Sequence, residues 1–132
     1  MAAKNTIYIK YADAQSHRLR NASGATLEQN EFAVLGEICA VANEAVLNGA
    51  DGAFDTEDGK IVQTTDLSAG ENTFATQNQN VYWNPADGKF SDTATVGYYE
   101  VGQLAAGGIK DAAGMIQFVM RRWANAIESD ET

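Results

Sequence analysis

Four turn dipeptides cut the chain into short segments and restrict the folds that it can adopt. They are Asn48-Gly49, Asp51-Gly52, Asp58-Gly59 and Asp87-Gly88. Asn-Gly and Asp-Gly pairs adopt positive φ values in tight hairpin turns at little steric cost. Between and after them lie short β-prone runs, at residues 60–65, 80–83 and 93–104. Short strands separated by tight turns predict a mainly β fold, either a small β-barrel or a sandwich.

A strand-like alternation also occurs near the N-terminus. Ile7, Ile9 and Tyr11 fall on one side of an extended segment, whereas Thr6, Tyr8 and Lys10 fall on the other. The polar and small residues at positions 12–29 are interpreted as a loop, so this strand is expected to be loosely attached. Two interpretations stay open: an edge strand of the core, or an arm that pairs with another molecule.

Residues 32–46 fit a helix and a strand almost equally well. Val34, Ile38 and Ala42 follow the helical period of 3.6 residues. Ile38, Ala40 and Ala42 also alternate, as they would in a strand. Local propensity slightly favours a helix here, so the fold class includes one possible short helix.

The same ambiguity recurs at residues 115–123. Ile116, Phe118 and Met120 alternate like a strand, whereas Ile116, Met120 and Trp123 share a helical face. Three glycines precede this segment: Gly107, Gly108 and Gly114. They favour a hairpin turn that leads into a last strand.

Composition disfavours nucleic acid and membrane partners. Eighteen acidic residues against nine basic ones give a formal charge of −9, which repels polyphosphate. The basic clusters, residues 17–20 and Arg121-Arg122, are too short to follow a nucleic acid backbone. No apolar stretch approaches the 18 residues of a membrane span, and the first residues lack the apolar run of a secretion signal. One cysteine, Cys39, allows no intrachain disulfide.

The sequence contains no recognisable catalytic set. His17 is the only histidine and is interpreted as a solvated side chain. A nucleophilic pair of His17 with Cys39 would also need an orienting acid, and Cys39 lies in an apolar run typical of a core cysteine. Residues 52–61 carry a Gly-Lys pair without the spacing of a phosphate-binding loop. The chain is therefore predicted to be non-enzymatic and to need no cofactor.

Metal binding and glycosylation are equally poorly supported. The acidic string Asp51, Asp55, Glu57 and Asp58 does not follow the register of an EF-hand loop, so it is interpreted as a solvated acidic loop. No metal site is predicted. Residues 21–23 form a glycosylation acceptor in the formal sense only, because no secretion signal accompanies them.

The strongest motif is the segment Asn-Val-Tyr-Trp-Asn-Pro-Ala-Asp-Gly-Lys-Phe at residues 80–90. This segment, a strand followed by a short turn with glycine and then a second strand that begins at an aromatic residue, resembles the signature hairpin of bacteriophage capsid cement, or head decoration, proteins. The residues that carry the resemblance are Val81, Tyr82, Trp83, Asn84 and Gly88. Other short elements of the family occur around the hairpin in the same order, at residues 36–42, 48–52, 58–62 and 96–98. The resemblance therefore covers roughly residues 24–123. Ala40 and Gln79-Asn80 depart from it, since the family often has glycine there.

This resemblance implies strands at residues 32–46 and 115–123, and a fold related to head decoration proteins. It implies a structural protein that assembles as a homotrimer on the outer surface of an icosahedral phage head. Its partners would be the major capsid protein and itself, with no nucleic acid and no membrane. The expected division is an N-terminal arm (residues 1–20), a β domain (21–125) and an acidic C-terminal tail (126–132).

The hypothesis for capsid binding is that the arm adds a strand to a sheet edge of the major capsid protein. The residues assigned to this role are Thr6, Ile7, Tyr8, Ile9, Lys10 and Tyr11. The alternative function is a carbohydrate-binding or adhesion module on the virion surface. Its binding face would be formed by the aromatic residues Tyr82, Trp83, Tyr98 and Tyr99.

Overall fold

The computed structural model describes residues 7–9, 16–68 and 74–128, and within them the chain forms ten β-strands. The strands are β1 (Ile7–Ile9), β2 (Ser16–Arg20), β3 (Phe32–Leu35), β4 (Ile38–Ala42), β5 (Asp51–Asp55), β6 (Lys60–Thr64), β7 (Asn80–Asn84), β8 (Lys89–Ser91), β9 (Tyr99–Leu104) and β10 (Ile116–Ala126). No residue in these ranges is helical. The mainly β prediction is confirmed, and the possible short helix is not found in the described part of the chain.

The long last strand, β10, is the strand on which the sheet is built. One edge of β10 pairs with β9. Its other edge pairs with β6 through its first half and with β4 near its end, where Trp123 lies opposite Ile38. The sheet therefore divides at β10. One branch continues from β6 to β1, and the other continues from β4 to β3, β5 and β2.

The strands on the β9 side of β10 curve back toward β6. From β9 the order continues through β7 to β8. The chain just beyond β6 then meets β8 in one parallel bridge, between Leu67 and Phe90. Two backbone hydrogen bonds flank this bridge: Phe90 N–H donates to the Asp66 carbonyl at 2.8 Å, and Ser68 N–H donates to the Phe90 carbonyl at 2.8 Å. The bridge brings the two sides of the sheet together, so the sheet is strongly curved. Because a single bridge stands where a full ladder would be needed, the sheet does not close into a barrel.

The β3–β4 hairpin is buried on both faces. Phe32, Cys39 and Val41 point into the larger hydrophobic core, whereas Ala33 and Ala40 point into a smaller second core. A strand with no solvent-facing side loses the alternation of polar and apolar residues. Sequence periodicity therefore could not separate helix from strand here, and the helix favoured by local propensity is wrong. The strands implied by the family resemblance are confirmed, both here and at β10.

Aromatic rings fill the centre of the larger core. Phe32 contacts Trp83, Phe90 and Phe118, with ring centroids 4.9, 5.1 and 6.3 Å apart. Trp83 and Phe90, on the neighbouring strands β7 and β8, are 4.8 Å apart. Edge-on and tilted ring pairs at such distances add stabilisation beyond the burial of their area. This cluster joins the β3–β4 hairpin to the β7–β8 hairpin and to β10.

Three of the four predicted turn dipeptides occupy turns. Gly49, Gly59 and Gly88 have φ values of 84°, 89° and 71°, in the region that favours glycine. The turn prediction for Asp51-Gly52 is wrong, because both residues lie in β5. A Cβ at Gly52 would overlap the side chain of Val46, so this glycine permits close packing in the smaller core.

The interpretation of residues 12–29 as a loop is wrong for residues 16–20. These form β2, which pairs with β5 from Ser16 opposite Asp55 to Arg20 opposite Asp51. The segment carries a single apolar residue, Leu19, which packs against the smaller core, so its sequence lacked a strand pattern. Paired structure thus includes five residues that were assigned to the arm.

Other boundaries also move. The predicted β-prone run at residues 93–104 contains a strand only from Tyr99 onward, because Gly97, at φ 93°, lies in a turn. Pro85 follows the end of β7, as expected for a residue that ends a strand. Thr6, Lys10, Tyr11 and residues 129–132 lie outside the described residues.

Gly102 provides a test of the packing between β9 and β10. A Cβ at this position would overlap the backbone carbonyl oxygen of Val119, which a side-chain movement cannot relieve. We expect Gly102→Ala to lower the free energy of unfolding by about 1–3 kcal/mol, measured by urea denaturation. Exposed Gln103 on the same strand supplies the control, and Gln103→Ala should stay within about 0.5 kcal/mol of the wild type. Equal stability of the two variants would contradict this packing.

Candidate functional site

The strand β1 forms an outer edge of the sheet. Ile7, Tyr8 and Ile9 lie opposite Thr64, Gln63 and Val62 of β6 in antiparallel register. Among the strands that the structure describes, β1 pairs with β6 alone. Its other edge therefore presents backbone N–H and C=O groups of the kind that accept an additional strand. Of the two interpretations of this segment, an edge strand of the core or an arm that pairs with another molecule, this geometry corresponds to the edge strand.

The strand that supports β1 is itself well fixed. On its other side β6 pairs with β10 over five positions. Val62 and Thr64 are fully buried, and Gln63 is 5% exposed. A strand held in this way gives β1 a rigid base, and a rigid edge loses less conformational entropy when it binds a partner.

The signature hairpin, strands β7 and β8, has a mainly structural role. Val81 and Trp83 are buried in the larger core, whereas Tyr82 and Asn84 are half-buried on the other face of β7. The Asn84 side chain accepts a hydrogen bond from the Ala86 N–H at 3.0 Å, and its carbonyl accepts one from the Gly88 N–H at 2.9 Å. These contacts shape the turn that the positive φ of Gly88 permits.

The aromatic residues considered for carbohydrate binding do not form one exposed face. Trp83 is 3% exposed and belongs to the aromatic cluster of the core, so its ring cannot stack on a sugar. Tyr99 is half-buried and packs against the same core. Tyr98 is half-buried and its hydroxyl accepts a hydrogen bond from the Asn84 amide at 3.2 Å. Tyr82 is also half-buried.

Cys39 and His17 are not arranged as a catalytic pair. Cys39 lies in β4 and is fully buried in the larger core. Desolvation by burial raises the pKa of its thiol to about 12; smaller effects come from Arg121, which lowers it, and Asp58, which raises it. His17 lies in β2, which is separated from β4 by β5. Because the nucleophile is the thiolate, this neutral thiol is inert.

We therefore expect the native protein to resist thiol alkylation. At pH 8 a thiol with a pKa of about 12 is ionised to roughly one part in 10⁴, and burial excludes the reagent as well. Iodoacetamide followed by intact mass measurement should give no adduct on the folded protein and one adduct after unfolding in urea. Rapid labelling of the folded protein would show that Cys39 is accessible.

The acidic string has separate structural contacts rather than a shared site. Asp51 forms an exposed ion pair with Arg20 at 3.5 Å, and buried Asp55 accepts a hydrogen bond from the Asn43 amide at 3.2 Å. Asp58 accepts a hydrogen bond from the Arg122 backbone N–H at 3.0 Å. Within residues 7–9, 16–68 and 74–128, no three His, Cys, Asp or Glu side chains converge to hold a metal.

Asn21 of the formal glycosylation acceptor is likewise a structural residue. It is fully buried, and its amide nitrogen donates to the carbonyls of Ala25 and Val46 at 2.9 and 2.8 Å. Its side-chain oxygen accepts a hydrogen bond from the Ser23 hydroxyl at 2.7 Å. These bonds tie the chain after β2 to the smaller core. The described part of the chain has no helix that is long and apolar enough to cross a membrane.

One exposed aromatic residue lies within a bulge of β10. Between Met120 and Asn125 the strand advances five residues while β9 advances only two, from Gly102 to Glu100. Within this bulge Trp123 is 56% exposed. The helical period of the sequence groups Trp123 with Ile116 and Met120, whereas the strand alternation places it on the opposite side. The structure follows the alternation, because Met120 and Ala124 are buried while Trp123 is exposed.

Comparison with known families identifies the chain. A family model described as phage cement protein matches residues 11–116, which is most of the chain. The protein therefore belongs to the phage cement protein family, as the β7–β8 hairpin and the order of elements suggested. The family gives it a structural role in stabilising a phage capsid, and it is not a family of enzymes. Comparisons with curated proteins and with solved structures gave no match.

Proposed function

We propose that the protein decorates the outer surface of a phage head, where it binds the major capsid protein and clamps neighbouring subunits of the shell. Membership of the phage cement protein family is the observation that carries this proposal. The formal charge of −9 supports the outer position, since an acidic surface is repelled by the DNA that fills the interior. Nucleic acid and membranes are not among the proposed partners.

The contact with the capsid is assigned to residues 6–11, through β1. An antiparallel strand can pair along both of its edges, so β1 can stay bonded to β6 while its outer edge pairs with a strand of the major capsid protein. The two sheets would then be joined through β1. By the alternation of the sequence, Ile7, Ile9 and Tyr11 would fill pockets on one side of that joint.

The conformational entropy that the arm loses on binding limits the affinity of one such contact. Fixing about ten residues of an unstructured arm costs on the order of 10–20 kcal/mol of backbone entropy. The pairing of β1 with β6 already fixes part of this segment in the free protein, which lowers that cost. In a homotrimer three arms bind as a unit, and intramolecular binding of the later arms raises the overall affinity by roughly 10²–10⁴.

Stabilisation of the shell follows from binding linkage. A ligand that binds the assembled shell and not its separated subunits stabilises the assembly by RT ln(1 + [L]/Kd). At a hundredfold excess over Kd this amounts to about 2.7 kcal/mol per site. Many such sites over a head would oppose the outward pressure of packaged DNA.

Deletion of residues 1–12 tests the assignment of the arm. We expect the truncated protein to fold with a free energy of unfolding lowered by about 1–4 kcal/mol, because the β1–β6 hydrogen bonds are lost. Its binding to undecorated heads of the phage that encodes it, measured by co-sedimentation, should weaken at least a hundredfold. A truncated protein that folds and binds heads as well as the full chain would refute the arm.

A proline scan of β1 separates the outer edge from the inner one. The N–H groups of Ile7 and Ile9 point to one edge of the strand, whereas the N–H of Tyr8 points to the other. Proline removes the donor and is tolerated where the N–H does not pair. The substitutions that leave the unfolding free energy unchanged should be those that weaken head binding. Undiminished binding by all three folded variants would exclude the outer edge as the contact.

A further inference from the structure

The β10 bulge presents an aromatic ring beside a guanidinium group. Trp123 is 56% exposed, and the Arg122 guanidinium lies over its ring, 5.8 Å from the centroid. Tryptophan and arginine are the side chains most enriched where protein interfaces concentrate their binding energy. A tryptophan exposed to this extent is unusual for a side chain that has only a packing role.

Backbone hydrogen bonds hold the bulge in one conformation. The N–H of Arg122 donates to the Asp58 carboxylate at 3.0 Å, and the N–H of Ala124 donates to the Glu37 carbonyl at 2.8 Å. The N–H of Gly59 donates to the Met120 carbonyl at 2.8 Å. The exposed ring is therefore fixed before any partner arrives, which lowers the entropy lost on binding.

Two arginines lie together at the bulge of a chain that is otherwise strongly acidic. Two copies with a formal charge of −9 repel each other over most of their surfaces. At the bulge the Arg121 side chain pairs with Glu100 at 3.1 Å, and the backbone N–H of Arg122 donates to Asp58. The two guanidinium groups offset part of the local negative charge, so a second acidic molecule meets less repulsion here than over most of the surface.

The turn between β4 and β5 carries the complementary chemistry. Leu47 is 68% exposed, the highest value among the large apolar side chains in the described ranges. Glu44, three residues earlier, is exposed, and its carboxylate accepts a hydrogen bond from the Ala53 N–H at 3.1 Å. An exposed apolar side chain and a fixed carboxylate in one turn are the chemical counterparts of an aromatic ring and a guanidinium.

The two surfaces are placed for a head-to-tail contact. Trp123 lies opposite Ile38, at the start of β4. Leu47 lies past the other end of β4, beside the residues that open β5, which puts it roughly 20 Å away along the strand direction at about 3.3 Å per residue. A contact between two different surfaces generates a ring when its rotation closes.

We propose that Arg122 and Trp123 of one copy dock on Glu44 and Leu47 of the next, and that this contact joins the copies of the trimer on the capsid. This proposal rests on the homotrimer of the proposed function and assigns the residues through which its copies touch. A stable interface buries about 800 Å² on each partner, far more than these side chains supply. The contact is therefore weak between free molecules and forms where the arms concentrate copies on the shell.

Disulfide trapping tests this contact directly. A mixture of Trp123→Cys and Leu47→Cys chains, bound to undecorated heads and mildly oxidised, should give crosslinked dimers on a non-reducing gel. Val96→Cys mixed with Leu47→Cys is the matched control, because Val96 is 53% exposed and near the same end of β10. Buried Cys39 stays silent in both mixtures. The chain with both Trp123→Cys and Leu47→Cys should crosslink to species of three copies and no larger.

Charge reversal supplies the second readout. In the crosslinking mixture, Arg122→Glu or Glu44→Arg alone should lower the yield of dimer at least tenfold, and the two changes combined on opposite partners should restore it. If wild-type protein binds heads but the Trp123–Leu47 mixture crosslinks no better than the control, the contact is refuted. If wild-type protein fails to bind heads while the mixture crosslinks in concentrated solution, the contact stands and the capsid function is refuted.

Discussion

The pairing of β10 along both of its edges is the constraint on which the remaining structure depends. One strand joins β9 on one side and both β6 and β4 on the other, so that two branches of sheet meet along its length. Both proposed surfaces follow from this arrangement. The β6 branch ends in the open edge of β1, and the change of partner from β6 to β4 coincides with the bulge in which exposed Trp123 lies.

The strands that could be predicted are those whose β-prone residues are bounded by tight turns, as at β6 and β7. In β7, Val81 and Trp83 are buried between half-buried neighbours, and the hairpin that this strand opens carries the family resemblance. The β3–β4 hairpin packs between two cores and gave no such pattern. The Asp51-Gly52 pair has the composition of a turn, but Gly52 lies in a strand where Val46 approaches it from across the turn between β4 and β5. The exposure of Trp123 could be predicted only by choosing the strand alternation over the helical period, which the local sequence does not decide.

The proposed arm and the observed edge strand are compatible because of how little β1 contributes to its own sheet. Three residues paired along one edge supply few hydrogen bonds, each with a net contribution of about 0.5–1.5 kcal/mol. The segment is thus ordered enough to present a strand edge, yet it is held in its own sheet by few hydrogen bonds. A longer, flatter edge strand would bind a capsid more tightly, but it would also promote aggregation between free molecules.

The net negative charge and the small contact area both disfavour association between free molecules. At physiological ionic strength the Debye length is about 8 Å, so repulsion between acidic copies acts mainly when their surfaces nearly touch. Such repulsion keeps free molecules apart, since the proposed contact at Arg122 and Trp123 is too small to overcome it at low concentration. On a shell, binding through the proposed arms would bring copies within reach of one another, and the surface that carries Arg121 and Arg122 would then allow close approach. Assembly is thereby directed to the capsid surface without any conformational switch in the protein.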